Sequence, residues 1–175
     1  MTRRLPPSVS VDTTIMTASG FSMAQAMERD VLVKGALPNE SVVARVVGRR
    51  NRVFMSVCED VKKLSPERVD AVCPHFLQCG GCAIQHQSHR AQIEFKMRLM
   101  SEALAFFDIQ PTCIRNPVTG PLFGYRRRAR LGVRLLRSSG ELLLGFRETF
   151  GSRIVRMDSC QVLAKPFDML VVPLK

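Results

Sequence analysis

Residues 73–86 read CPHFLQCGGCAIQH, and the rest of the chain is organised around them. Cys73, Cys79 and Cys82 are separated by five and then two positions, with Gly80 and Gly81 filling the second gap. Three thiolates this close along a chain can converge on one small inorganic body. A tight loop does so most easily where residues can take positive φ, which glycine permits at little cost. An iron–sulfur cubane needs four such ligands. Cys113 in PTCIR and Cys160 in MDSCQVL can each supply the fourth, and spacing does not choose between them. Zinc fits the spacing equally well, through Cys73, Cys79, Cys82 and either His86 or Cys160, because Cys₃His and Cys₄ zinc sites are common. Thiols buried by chance are the plainer reading, against which stands the clustering itself. Cys58 and Cys113 are read as packing cysteines, and His75 and His89 as surface groups or groups behind the ligands.

Upstream, from Val11 to about Glu59, short apolar runs alternate with turn residues: Gly20, Gly35, Pro38-Asn39, Gly48 and Asn51. Residues 41–47 (SVVARVV) and 53–58 (VFMSVC) flank a short basic turn and predict a hairpin. Several short strands in so few residues suggest a small barrel of the OB type. Residues 1–10 read as a frayed terminus, and 61–72, with Pro66, as a linker.

Downstream, residues 87–107 contain no Gly or Pro, and Ile93, Met97, Met100, Leu104 and Phe107 recur at helical spacing. They predict a helix with that stripe as its core face. After Pro111 the pattern returns to β: a long candidate strand over 124–136, a turn at Ser138-Ser139-Gly140, a partner over 141–147, and a short strand over 152–157. The fold class expected is mostly β / α+β.

The charge balance points to a partner. The 175 residues hold 26 Lys plus Arg against 15 Asp plus Glu, a net charge of +11. Such an excess favours a polyanion, since each neutralised phosphate releases counterions. In YRRRARLGVRLL, residues 125–136, strand alternation puts Arg126, Arg128, Arg130 and Arg134 on one face, about 6.5 Å apart at two-residue spacing. With Arg127 they are the candidate RNA-binding residues; Tyr125 and Phe146 could offer stacking surfaces. Residues 121–157 carry nine arginines and two acids, Glu141 and Glu148, so few local partners can neutralise the row. A solvated strand face is the alternative. No secretory signal and no apolar run of about 18 residues is present. A cytoplasmic chain is therefore expected, and in that compartment cysteines are better read as ligands or thiols than as disulfides.

These segments resemble the amino-terminal half of the bacterial 23S ribosomal RNA (uracil-5-)-methyltransferases that carry an iron–sulfur cluster. The resemblance rests on CPHFLQCGGCAIQH at 73–86, FGYRRRARLGVR at 123–134, LLGFRE at 143–148 and IVRMDSCQVL at 154–163. LVKGALPNESVVARVV at 32–47 looks like the middle of a TRAM domain. It implies a [4Fe-4S] cluster held by Cys73, Cys79, Cys82 and Cys160. It also implies a TRAM-like OB-type β-barrel at 8–66, followed at 67–175 by a partial α+β central RNA-binding domain. That domain would hold the cluster loop (73–82), the helix (87–107) and antiparallel strands (124–157). In the family a domain binding S-adenosylmethionine and carrying the catalytic groups follows. Here the sequence stops at Lys175 with no glycine-rich strand–turn–helix. The resemblance thus assigns no catalytic residue, and the chain alone is expected to be inactive. The function it implies is the RNA-recognition half of a 5-methyluridine-forming rRNA methyltransferase, acting as a monomer on ribosomal RNA without a membrane. The rival readings are a stand-alone RNA-binding iron–sulfur protein without catalysis, and a zinc-stabilised basic adaptor.

Overall fold

The computed structural model describes residues 6–175. Seven strands and one α-helix follow in order: β1 Ser8–Asp12, β2 Ser22–Ala26, β3 Arg29–Lys34, β4 Ser41–Arg50, β5 Val53–Lys63, α1 His89–Phe106, β6 Gly132–Leu136 and β7 Glu141–Gly145. The expected mostly β / α+β class holds. Of the supposed frayed terminus, residues 1–5 lie outside the described residues, and Ser8 onward is ordered into β1.

The first five strands form one mixed sheet in the order β1-β4-β5-β3-β2. All neighbours are antiparallel except β3 and β5, which run parallel. The sheet curls without closing as a continuous ladder. Its edge strands β1 and β2 are joined beyond their ends by the Met16–Ser22 bridge and by backbone hydrogen bonds from Thr14 to Met23 and from Met23 to Ile15, each 2.8 Å. Alternation drives this sheet: Val9, Val11, Val31, Val33, Val42, Ala44, Val46 and Phe54 point inward to one core, where Cys58 also packs. Burial pushes the Cys58 thiol up to about 11, as suits a packing cysteine. The predicted hairpin is longer than its sequence suggested. β4 and β5 run on to a two-residue turn at Asn51-Arg52, both at positive φ, the conformation that matches strand twist. The end of β5 likewise takes the first three residues of the expected linker.

The helix is where expected, with Ser88 as its N-cap accepting from the Ala91 N–H. Its buried face is not. Ala91 and Phe95 are buried, and Phe95 and Leu99 pack with Met16, Leu37 and Ile84. Of the stripe expected to face the core, Met100 is exposed and Phe107 is 68% exposed. The helix packs through Phe95 and Leu99 on loop residues Met16, Leu37 and Ile84, so its docking is set by the Phe95 contact rather than by the longest apolar row.

A buried ion pair ties the connection after β5 to the loop after β3. Arg68 donates from Nε and Nη2 to the two Glu40 carboxylate oxygens, each 2.6 Å, and from Nη2 to the Gly35 carbonyl at 2.8 Å. The same carboxylate accepts the Leu37 and Ser65 N–H groups at 2.7 and 3.1 Å. Four donors around one buried carboxylate fix the chain's exit from the sheet toward the cysteines.

The carboxy-terminal region differs most from the sequence reading. The long strand expected over 124–136 exists only as β6; residues 127–131 are irregular, and Arg126 makes one isolated bridge to Leu163. The strand expected over 152–157 is reduced to a bridge between Ile154 and Arg147. β6 and β7 form a separate two-stranded sheet. Val133 and Leu135, expected on a core face, are 63% and 58% exposed. The small core here is instead Met157, Leu163 and Val171, with Leu131, Phe146 and Cys160 packed against it.

Candidate functional site

The cysteine segment is a compact, irregular loop built on its own backbone. The His75 carbonyl accepts the N–H groups of Gln78 and Cys79 at 3.1 and 2.7 Å, and the Cys73 carbonyl accepts that of Phe76 at 3.1 Å. The loop then pairs with the stretch after β7: the Gly80 N–H donates to the Arg147 carbonyl at 2.9 Å, and the Thr149 N–H to the Gln78 carbonyl at 3.0 Å. Neither Gly80 nor Gly81 takes the positive φ that the sequence suggested. They are needed for close approach. A Cβ on Gly80 would lie 2.9 Å from the Arg147 carbonyl oxygen; one on Gly81 would meet the Phe146 ring at 3.2 Å and the Cys79 sulfur at 3.3 Å. The Gly81 N–H donates to that sulfur at 3.3 Å.

Cys160 reaches this loop through Arg126. The backbone of Arg126 is zipped to the carboxy-terminal segment, donating to the Val162 carbonyl at 2.8 Å and accepting from the Ala164 N–H at 3.0 Å. Its guanidinium crosses the Phe146 ring, 5.9 Å from the centroid, and donates to the Gly81 carbonyl at 3.3 Å. One residue thus holds the segment of Cys160 against the segment of Cys82. The backbone of Cys160 is fixed in turn by its N–H donating to the Asp168 carboxylate. Cys113 sits exposed in an irregular stretch.

Burial raises the Cys79 thiol above its ordinary range; the Gly81 N–H opposes that shift, while the Cys82 and Cys73 thiolates add to it. Burial also raises Cys82, opposed by a Gln85 hydrogen bond and by the Arg126 charge and reinforced by Cys160 and Cys73. Lys34, at the end of β3, is fully buried. Its ammonium donates to the Cys79 carbonyl at 2.5 Å and to the Thr149 hydroxyl. Burial pushes its pKa down to about 8, against the pull of the Cys79 and Cys82 thiolates. The cysteine loop therefore carries two cations bonded to its backbone carbonyls, Lys34 at Cys79 and Arg126 at Gly81, and a backbone N–H aimed at one sulfur.

Among the described residues, no three His, Cys, Asp or Glu side chains stand close enough to hold a single metal ion. One zinc needs thiolates at about 2.3 Å from a common centre. The irons of a cubane each take their own thiolate, which lets the four sulfurs stand farther apart. The N–H aimed at Cys79, the close approach at Gly81 and the Arg126 link between the segments of Cys82 and Cys160 are compatible with the donor set of such a cluster. His86, the alternative zinc ligand, is buried against Phe76, ring centroids 5.0 Å apart. Burial holds its pKa down near 4, and neither ring nitrogen has a hydrogen-bond partner. The Ala36 backbone lies near enough to pull the other way, though outside good hydrogen-bonding geometry.

The candidate RNA-binding arginines divide. Arg127, Arg128, Arg130 and Arg134 are exposed, and among the described residues none of them pairs with a carboxylate. They are not one strand face, because only Arg134 lies in a strand. Arg126 is turned inward to the cysteine loop. Its role was not legible in the sequence, where it is one of three successive arginines. Nor was that of Lys34, whose only signal is a lysine set in the apolar run VLVKGAL at 31–37.

The comparisons with known proteins bear on the whole chain. No family model matches it. Curated relatives do: the "23S rRNA (uracil(1939)-C(5))-methyltransferase RlmD" of Pseudomonas entomophila is 40% identical over 157 residues, 89% of this chain and 35% of the relative. The protein of the same name from Alkalilimnicola ehrlichii is 38% identical over 163 residues, 92% of this chain and 37% of the relative. That from Shewanella sediminis is 32% identical over 173 residues, 98% and 39% respectively. The crystal structure of Pyrococcus abyssi tRNA (uracil-54, C5)-methyltransferase in complex with S-adenosyl-L-homocysteine shares the fold, with a TM-score of 0.57 and 23% identity over 94% of this chain and 35% of that one. The resemblance read from the sequence therefore holds: along nearly its whole length the chain is similar to the 23S rRNA (uracil-C5)-methyltransferases, and it spans between a third and two fifths of the length of these curated relatives.

Proposed function

We propose that these residues form the RNA-recognition part of an S-adenosylmethionine-dependent 23S rRNA uracil-5-methyltransferase, cytoplasmic and monomeric, with a [4Fe-4S] cluster on Cys73, Cys79, Cys82 and Cys160. The carrying observation is the 32–40% identity to rRNA methyltransferases over 89–98% of the chain. In this reading residues 8–66 are a TRAM-like unit, and 67–175 a central domain whose Arg127, Arg128, Arg130 and Arg134 meet phosphates. Arg126 is the exception, and serves the cluster loop. The cluster supplies a rigid inorganic cross-link between residues distant in sequence, and metal binding of this kind is coupled to folding.

The chain's own residues hold RNA and give no group for methyl transfer. No helix among the described residues is long and apolar enough to cross a membrane. Filter binding of the anaerobically purified chain to 23S rRNA segments tests the reading. Affinity that falls steeply with salt, and is greater for the segment holding the target uridine of the relatives, supports it. Salt-independent or absent binding overturns it.

A further inference from the structure

We propose that Lys34 is the counter-cation of the thiolate centre, so that loading the centre fastens the first sheet to the cysteine loop. The inference rests on the four-cysteine reading and goes beyond it, because Lys34 belongs to the five-stranded sheet and to none of the segments that carry the ligands.

Three observations converge. First, the Lys34 side chain is fully buried, and long cationic side chains are almost never so unless paired. Second, it has no carboxylate partner among the described residues; its ammonium is spent on two neutral acceptors, the Cys79 carbonyl and the Thr149 hydroxyl, and lies 5.8 Å from the centre of the Phe76 ring. Third, the carbonyl it bonds belongs to Cys79 itself, so the ammonium sits against the backbone of the loop that carries three of the four proposed thiolates. A buried ammonium facing only neutral dipoles is costly. Cysteines that ligate a metal do so as thiolates, so a loaded centre supplies the negative charge that the pocket otherwise lacks. Lys34, the 147–149 stretch and the cysteine loop then form one charged joint. Without the centre, the same ammonium works against the packing of β3 on the loop.

This gives Lys34→Met opposite effects in the two states, which a purely structural lysine would not. In the metal-free chain the variant is expected to unfold at the same or higher urea concentration than wild type, because an uncompensated cation is gone. In the loaded chain it is expected to lose iron faster to a chelator. Its cluster should also be harder to reduce, since a nearby cation favours the more negative state. A tenfold shift in the reduction equilibrium is expected, about 59 mV for a one-electron couple. Lys34→Arg keeps the charge and should restore most of the potential. If Lys34→Met does not load, Lys34→Gln and Lys34→Arg are compared for iron retention, with the charged variant expected to keep more. A wild-type chain that takes up no iron overturns the four-cysteine reading and this inference together. A loaded wild type whose potential and iron retention are unchanged by Lys34→Met overturns the Lys34 assignment alone.

Discussion

The guanidinium of Arg126 donates to the carbonyl of Gly81, 3.3 Å away, while the Arg126 backbone is paired with residues 162–164. That single relationship brings the two halves of the proposed centre together across a wide separation in sequence. It also removes Arg126 from the group free to bind phosphate.

The arginines should therefore behave as two classes. Replacing Arg127, Arg128 and Arg130 together by Gln should lower the slope of log affinity against log salt for single-stranded RNA by about 2 units, at three phosphates of about 0.7 each. Iron content should not change. Arg126→Gln should do the reverse, with the slope nearly kept and iron lost more readily. Equal effects of the two substitutions on the salt slope would place Arg126 back on the RNA surface.

Gly80 answers to sterics. Its missing Cβ leaves room for the Arg147 carbonyl, a backbone atom that cannot swing aside. Gly80→Ala should cost about 1–3 kcal/mol in urea unfolding, the usual penalty of overpacking, and should weaken iron retention. Gly48→Ala is the control, since nothing lies within 4 Å of the position. It should stay within about 0.5 kcal/mol of wild type.

The Glu40–Arg68 pair should show the asymmetry of buried ions. Glu40→Ala strips the partner from a half-buried guanidinium and leaves two N–H groups without an acceptor. A loss of about 3–5 kcal/mol is expected. Replacing both residues by Met should cost less than Glu40→Ala alone. A double variant worse than the single one in urea unfolding would contradict this account of the joint.

His86 should make the fold sensitive to mild acid. Its folded pKa lies near 4 against an ordinary 6.5. Between those values the unfolded chain takes up a proton that the folded chain refuses, so stability is lost as the pH falls through that window. The full loss is roughly 3 kcal/mol, at about 1.4 kcal/mol per pH unit. Urea midpoints at pH 7 and 4.5 should differ less in His86→Leu than in wild type. An unchanged difference would show that His86 is protonated in the folded chain.

What could be read from the sequence was whatever repeats over a few residues. Alternation in 41–47 and 53–58 marked the central hairpin, and the absence of Gly and Pro over 87–107 marked the helix. The turn at Met27-Glu28 went unseen, because both residues take positive φ without the Asn-Gly chemistry that usually announces it. The alternation in 125–136 misled, since residues 127–131 have no partner strand to hold them extended. The helix stripe misled because tertiary packing chose Phe95. In the site, the cysteine spacing was legible and the cations were not, since Lys34 and Arg126 acquire their roles only when distant segments meet.

The most direct test of the central claim is iron and acid-labile sulfide per chain after anaerobic preparation, in wild type, Cys160→Ser and Cys113→Ser. The account predicts about four of each per wild-type chain, a marked loss in Cys160→Ser, and no loss in Cys113→Ser. A colourless wild type, or a Cys160→Ser chain that keeps its full iron, would contradict it.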